Sequence, residues 1–152
     1  MEPLQAVEQW DLVRQLKTSF VAYPVVNAVH IAAIGALLTS VALLDLRILG
    51  AFGSLPERPF VMLLRRLALM AFCLAVLSGL ALFSVRASYY AGMPVFLGKM
   101  GLIALAGATF ALFAAIESEK QRRWSSLRRP LAVMSVVIWC TVLLCGRFIG
   151  FL

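Results

Sequence analysis

Long stretches without a charged residue dominate the pattern of polar and apolar positions along the chain. Residues 18–44, 67–85, 100–116 and 130–146 contain no Asp, Glu, Lys or Arg. A helix needs about 20 mainly apolar residues to cross a hydrocarbon core of roughly 30 Å. The two shorter runs reach this length because Lys99 and Arg147 can extend their side chains to the membrane surface. The pattern predicts four transmembrane helices, at residues 20–48, 60–86, 94–116 and 130–150.

The N-terminal segment has a different, amphipathic pattern. Its apolar residues recur at helical spacing, while most of its charged residues fall elsewhere; the apolar set is Ala6, Val7, Trp10, Val13 and Leu16. Such a helix is typical of the membrane interface, with the tryptophan at headgroup level. The sequence therefore predicts an interfacial helix over residues 1–18 and a four-helix transmembrane domain over residues 19–152.

Short connections and prolines organise the four long helices. Pro24, Pro59, Pro94 and Pro130 each stand where a first-turn proline would open one of them. The turns "GAFGSLPERP" and "ASYYAGMP" are short, which favours antiparallel neighbours. The predicted fold class is all-α, a four-transmembrane-helix up-down bundle preceded by the interfacial helix.

Composition agrees with this class. Of the 152 residues, 62% are hydrophobic and only 14% are charged, which is too little polar surface for a soluble domain of this size. Strand-type alternation is absent, so a β-barrel is not expected. The N-terminus is mixed in charge rather than basic, so no signal peptide is expected.

The distribution of positive charge predicts the orientation. Nine Lys and Arg residues flank the turn between the first two helices or lie in the loop before the fourth, and five lie on the other side. The positive-inside rule places the nine in the cytoplasm. We therefore expect a multi-pass protein of the bacterial inner membrane with both termini outside, in the periplasm. The cations form membrane-flanking belts, so the lipid bilayer, and not nucleic acid, is the expected partner.

Several reactive chemistries find no pattern in the sequence. Cys73, Cys140 and Cys145 all lie in apolar runs without a CxxC spacing, so we interpret them as packing residues. No nucleophile–base pair, paired carboxylates or phosphate-binding loop appears. The protein is therefore not expected to be an enzyme in its own right.

One face of the first long helix is polar at both ends. At 100° per residue, Tyr23, Asn27, His30 and Asp45 fall within an arc of about 60°. His30 is the only histidine of the chain. Three cations of the other helices, Arg86, Lys99 and Arg147, are expected at the same depth in the outer leaflet. Cations at one depth without a carboxylate from the helices indicate an anion, water or lipid headgroups.

Three interpretations of this predicted pocket compete. In the first, the cations reach lipid phosphates and His30 forms a hydrogen bond within the bundle. In the second, His30 ligates the iron of haem b, Met100 or Lys99 supplies the other axial ligand, and the cations hold the propionates. In the third, the pocket holds a quinone or a small anion, or passes a proton through His30.

Two further site predictions concern metals and ion pairs. His30 and Met100 are the candidate metal ligands, although no His-x-Met or Met-x-Met spacing typical of copper sites is present. Asp45 is expected to pair with Arg65 or Arg66 at the start of the second long helix, as a structural ion pair at the cytoplasmic surface.

The segments "YPVVNAVHIAAIG", "LLDLRILG", "YYAGMPVFLGKMGL" and "GRFIGF" resemble a family of small, uncharacterised four-helix bacterial inner-membrane proteins. The resemblance covers the four helices and implies an inner-membrane bundle, but no activity. A histidine in the first helix is more loosely similar to membrane cytochromes b and copper-resistance membrane proteins. Those families use several histidines, whereas this chain has one.

The functional expectation follows from these points. We expect a non-enzymatic integral membrane protein, a cofactor-holding subunit (haem b or quinone, hence electron transport) or an anchoring subunit, in a homo-oligomer or a larger membrane complex. The candidate binding residues are Tyr23, Asn27, His30, Arg86, Lys99 and Arg147. The alternative is a small transporter or proton-coupled carrier for an anionic or metal solute.

Overall fold

A computed structural model describes residues 2–118 and 125–149, which are helical with short connections and contain no strand. The helices are α1 (Glu2–Glu8), α2 (Asp11–Thr18), α3 (Ala22–Leu49), α4 (Glu57–Ser84), α5 (Ala87–Ala91), α6 (Pro94–Ser118) and α7 (Ser125–Ile149). Four of them are long and apolar enough to cross a membrane, over Ala22–Leu49, Arg58–Ser84, Pro94–Leu112 and Arg128–Ile149. The prediction of four long apolar helices is confirmed.

The prolines mark helix starts with different accuracy. Pro94 is the first residue of α6, as expected, whereas Pro24 and Pro59 lie in the first turns of α3 and α4. Pro130 lies inside α7, which begins five residues earlier, at Ser125. Proline lacks an N–H, which only the first turn of a helix leaves unused, so its position constrains a helix start only to within a turn or so.

The N-terminal segment forms two short helices where the sequence suggested one. The N–H groups of Gln9 and Trp10 donate to the carbonyls of Ala6 and Val7, three residues back, and α1 ends there. Trp10 then has an extended backbone, with φ −59° and ψ 137°. The new helix begins at Asp11, where a negative side chain suits the first turn.

The turn after α3 is closed by its own backbone and by Arg47. Gly50 has a φ of 109°, and the N–H of Ala51 reaches back to the carbonyl of Leu46, as in a Schellman cap. The Arg47 guanidinium donates to the carbonyls of Ala51, Phe52 and Leu55. Three carbonyls of the turn therefore find a donor within the turn itself.

The chain divides into two compact units. The first comprises the residues up to Ser40 together with Leu63–Met93, and the second comprises Val41–Met62 together with the residues from Pro94 onward. Small side chains dominate the buried positions of the first unit. They include Ala33 on α3 and Ala68, Ala71 and Ala75 on α4. Small residues let helices approach closely, which is the usual way for helices to pack in a membrane.

The second unit is built around the packing of α6 on α7. Ala106 of α6 and Ile138 and Val142 of α7 are buried together, with Leu102 and Trp139 packed against them. Large apolar side chains such as Leu105, Leu143 and Leu144 remain exposed on the same two helices. An exposed apolar surface on helices of this length suits contact with lipid.

Candidate functional site

His30 is held by the second long helix of the first unit. Its Nδ1 lies 2.9 Å from the hydroxyl oxygen of Ser78, which is a buried residue of α4. Ser78 Oγ also lies 2.6 Å from the carbonyl oxygen of Leu74, one turn back on the same helix. The imidazole, the hydroxyl and the carbonyl thus form one continuous chain of polar groups.

This chain sets the tautomer of His30. A serine hydroxyl has one proton, and a carbonyl can only accept, so the short contact assigns the Ser78 proton to Leu74. Ser78 Oγ must then accept from His30, which places a proton on Nδ1. In the neutral ring, Nε2 therefore carries the lone pair. A histidine that ligates a metal usually donates its other ring N–H in this way, which fixes the ring orientation.

Gly79 provides the space for the imidazole. A Cβ atom at position 79 would lie 2.9 Å from Cε1 of His30, closer than real Cβ contacts allow. The ring therefore rests on the bare backbone of α4, next to its hydrogen-bond partner. Ser78 and Gly79 act together, since one binds the ring and the other admits it.

A second titratable residue is seated in a similar way in the second unit. Lys99, on α6, has its Nζ 3.2 Å from the position that a Cβ of Gly146 on α7 would occupy. The thiol of Cys145 is close enough to the ammonium to interact with it electrostatically. Arg147, the next residue of α7, is exposed.

Asp45 is the buried carboxyl of the second unit. It lies four residues before the end of α3 and is only 3% exposed. The Ser135 side chain, on α7, forms a hydrogen bond with the carboxyl. Its Oδ2 atom has no hydrogen-bond partner.

Aromatic and polar residues gather around α5 in the first unit. The ring of Tyr90 lies 5.7 Å from that of Tyr89 and 6.4 Å from that of Phe83, between centroids. Burial raises the pKa of the Tyr90 phenol, the nearby Tyr23 raises it further, and Arg86 opposes the change. Two predicted site residues, Tyr23 and Arg86, therefore share the surroundings of Tyr90.

The N-terminal helix is tied to the same region. Glu8 Oε1, at the end of α1, accepts the backbone N–H of Ser88 at 2.8 Å and its hydroxyl at 2.7 Å. These two bonds lower the pKa of the Glu8 carboxyl, the backbone bond most strongly. Glu8 thus connects α1 with α5.

The predicted site residues divide between the two units. Tyr23, Asn27, His30 and Arg86 belong to the first unit, whereas Lys99, Met100 and Arg147 belong to the second. A common pocket of both sets stays a prediction, and so do the metal ligands His30 and Met100. Within residues 2–118 and 125–149, no group of three or more His, Cys, Asp or Glu side chains could hold a metal ion. The ion pair of Asp45 with Arg65 or Arg66 also joins the two units and stays a prediction.

Sequence reasoning missed the residues that hold the predicted ones. These are Ser78, Gly79, Ser135 and Gly146, together with the Glu8–Ser88 contact. A signal was present for one of them: a Ser-Gly pair interrupts the apolar run of the second long helix at about the distance from its end that separates His30 from the start of the first. No protein-family model, no curated protein and no solved structure matches the chain.

Proposed function

We propose that the protein is a non-enzymatic integral membrane subunit that holds a redox cofactor, haem b in the first place, through Nε2 of His30. The observation that carries the proposal is the hydrogen bond between His30 Nδ1 and Ser78, whose own proton goes to Leu74. A ring fixed in this tautomer presents a lone pair in one direction, which suits an iron ligand or a hydrogen-bond acceptor for a quinol.

The donor set of the first unit fits one end of such a cofactor. His30 would supply one axial nitrogen, and Arg86, near Tyr23 and Tyr90, would bind a propionate carboxylate. Asn27 and Tyr23 lie on the same face of α3 as His30. A haem bound there would supply one-electron transfer, while the protein would bind it, orient it and exclude water. Met100 or Lys99 as the other axial ligand, and Lys99 and Arg147 as further carboxylate partners, complete the proposal.

The proposed setting is a four-helix, up-down bundle in the bacterial inner membrane, with both termini in the periplasm. Four helices of sufficient length and apolar character support it, together with the nine basic residues on one side. Fusion of reporter proteins after residue 152 and within residues 117–129 tests the orientation. An exported reporter should be active only in the terminal fusion, and activity only in the loop fusion would reverse the topology.

An absorption spectrum of the purified protein tests the cofactor. The full-length protein, purified in mild detergent from haem-replete cells, should show a Soret band that is lost in His30→Ala. Ser84→Ala is the matched control, because the Ser84 hydroxyl bonds only the carbonyl of Ala81 in its own helix. Ser78→Ala should keep the band at reduced occupancy, since the ligand remains while its orienting bond is lost.

The same preparations separate the other outcomes. A colourless protein that added haemin does not change would exclude haem. Organic extraction would then decide between a quinone, recovered with the wild type and depleted in His30→Ala, and no cofactor at all. If neither is found, the proposal fails and His30 is a hydrogen-bonded packing residue.

A small transporter or carrier for an anionic solute is the second candidate. Lys99 favours it, because a lysine inside a candidate span, next to Gly146 and Cys145, offers a positive charge to an anion. Solute uptake into proteoliposomes that fails with Lys99→Ala would place this function first.

A further inference from the structure

Asp45 differs from the other acidic residues because it lies inside a candidate membrane span. Its neighbours along α3 are apolar, from Val41 to Leu44 on one side and Leu46 on the other. The residue is 97% removed from solvent in the protein alone. The Ser135 hydroxyl bonds the carboxyl, and Oδ2 has no partner. Half of this carboxyl is therefore satisfied and half is not.

A carboxylate in this position would be under severe strain of solvation. An ionised oxygen needs several donors to replace the water it has lost, and a buried charge without them is far more costly than a buried neutral group. A proton on Oδ2 removes the charge and leaves Oδ1 as a carbonyl oxygen, which accepts the one bond that Ser135 can donate. The neutral acid thus matches the single partner that is present.

A metal ion fits the position less well than a proton. Sodium or calcium needs several oxygen ligands around it, whereas the described side chains at Asp45 provide only one hydroxyl. Across the described ranges, no cluster of His, Cys, Asp and Glu could complete such a shell. A proton needs no further ligand.

The charged groups at this end of the helices favour the ionised form and so define the competing arrangement. In the second unit they are Arg47, Glu57, Arg58, Arg128 and Arg129, and in the first unit Arg65 and Arg66. The guanidinium of Arg47 is bound to carbonyls of its own turn. An ion pair of Asp45 with Arg65 or Arg66 is the arrangement that the sequence predicted.

We propose that Asp45 and Ser135 form a proton-binding site in the second unit, at which the carboxyl takes up a proton from the water beside the α3–α4 turn. An O–H bond forms at Oδ2 while Ser135 holds Oδ1, and release reverses this step without any other reactant. The site is separate from His30 and does not depend on a cofactor there. It gives the protein a titratable group at the opposite end of α3.

Infrared spectroscopy of the full-length protein in detergent tests the proposal directly. At neutral pH, the wild-type spectrum minus that of Asp45→Asn should contain a carboxylic-acid C=O band that shifts in D2O. Asp11→Asn is the matched control, since Asp11 is exposed on α2 and should contribute no such band. In Ser135→Ala the band should move to higher wavenumber, because the C=O group loses its hydrogen bond.

Each remaining outcome decides the question. A wild-type protein without the band at neutral pH, or with a band that Ser135→Ala does not move, overturns the proposal. Loss of the band on adding sodium or calcium salts assigns the site to a metal ion and also overturns it. If Asp45→Asn fails to fold, the pH series of the wild type and the Ser135→Ala shift still decide, because Asp45 is intact in both.

Discussion

The two helix pairs hold their titratable residues in similar positions but with different partners. His30 of α3 lies against Ser78 and Gly79 of α4, and Lys99 of α6 lies against Cys145 and Gly146 of α7. In each pair a glycine on the second helix makes room, and the residue before it has a short side chain. The hydroxyl of serine binds the imidazole, whereas a thiol is a weak hydrogen-bonding group for an ammonium.

The difference teaches how firmly each group is positioned. An imidazole has two rotatable bonds and a partner at 2.9 Å, so the protein itself sets its direction. An ammonium ends a flexible four-carbon stem and adjusts to whatever charge it meets. We therefore expect His30 to select a ligand by geometry and Lys99 to accept an anion by charge. The following substitutions test this contrast, beginning with the largest expected effect.

Gly79→Ala should destabilise the protein most. The added Cβ would lie 2.9 Å from a ring that Ser78 holds in place, so the helix or the imidazole must move, at a cost of about 1–3 kcal/mol in the free energy of unfolding. Gly35→Ala, on α3 with nothing within 4 Å, is the control and should gain up to about 1 kcal/mol. Denaturant titration in detergent measures both, and equal stabilities would show that His30 is not seated on Gly79.

Ser78→Ala should have the next largest effect. It leaves the Nδ1–H of His30 without its acceptor, which costs about 1 kcal/mol for a part-buried donor in a membrane protein. Ser84→Ala, which removes a hydroxyl bound only to its own helix, should change the unfolding free energy by less than about 0.5 kcal/mol. A loss in both variants of the same size would contradict the assigned role of Ser78.

Gly146→Ala should cost less than Gly79→Ala, although the two glycines look equivalent in sequence. The nearest atoms, Lys99 Nζ at 3.2 Å and its Cε at 3.6 Å, are the end of a flexible chain that can withdraw. We expect a change of less than about 1 kcal/mol, partly offset by the higher helix propensity of alanine. Gly107→Ala, with open space around it, is the control for α6. A cost above that of Gly79→Ala would reverse the comparison of the two helix pairs.

The smallest effect concerns the contact between Glu8 and Ser88, and it depends on pH. Because the folded pKa of Glu8 lies below the ordinary value of 4.5, the contact stabilises the protein above that pH and is lost as the pH falls through the folded pKa. We expect α1 to detach from α5 in acid below about pH 4. The fluorescence of Trp10, measured with the other two tryptophans replaced by phenylalanine, should report the change.

Glu8→Gln provides the control for this titration. It removes the charge and weakens both bonds from Ser88, so the acid transition should be absent and α1 should be loosely attached at every pH. An unchanged acid transition in Glu8→Gln would assign the effect to another group.

The sequence was informative wherever a long average decided the structure. Four uncharged runs predicted the four long helices, and the start of α6 at Pro94 followed from a proline at the end of a turn. These features depend on the sum of many residues over 20 or more positions, or on a covalent property of proline. Single errors in such a sum have little effect.

The partners of the predicted residues could not be obtained in the same way. That His30 meets Ser78, and Asp45 meets Ser135, depends on how far one helix is shifted and rotated against another. A rotation by one residue is about 100°, so the hydrophobic pattern does not fix it for a helix that is apolar all round. The break at Trp10 and the short helix α5 depend on local hydrogen bonds, which average propensities do not resolve.

The turn closed by Arg47 has a consequence for how the chain enters the membrane. Its hydrogen bonds join residues no more than eight positions apart, so the turn can form as soon as Leu55 has left the ribosome. Closure at that point would occur before α6 and α7 are synthesised. The first two spans could then be released by the insertion machinery as one preformed loop, with the Arg47 charge already bound to backbone carbonyls.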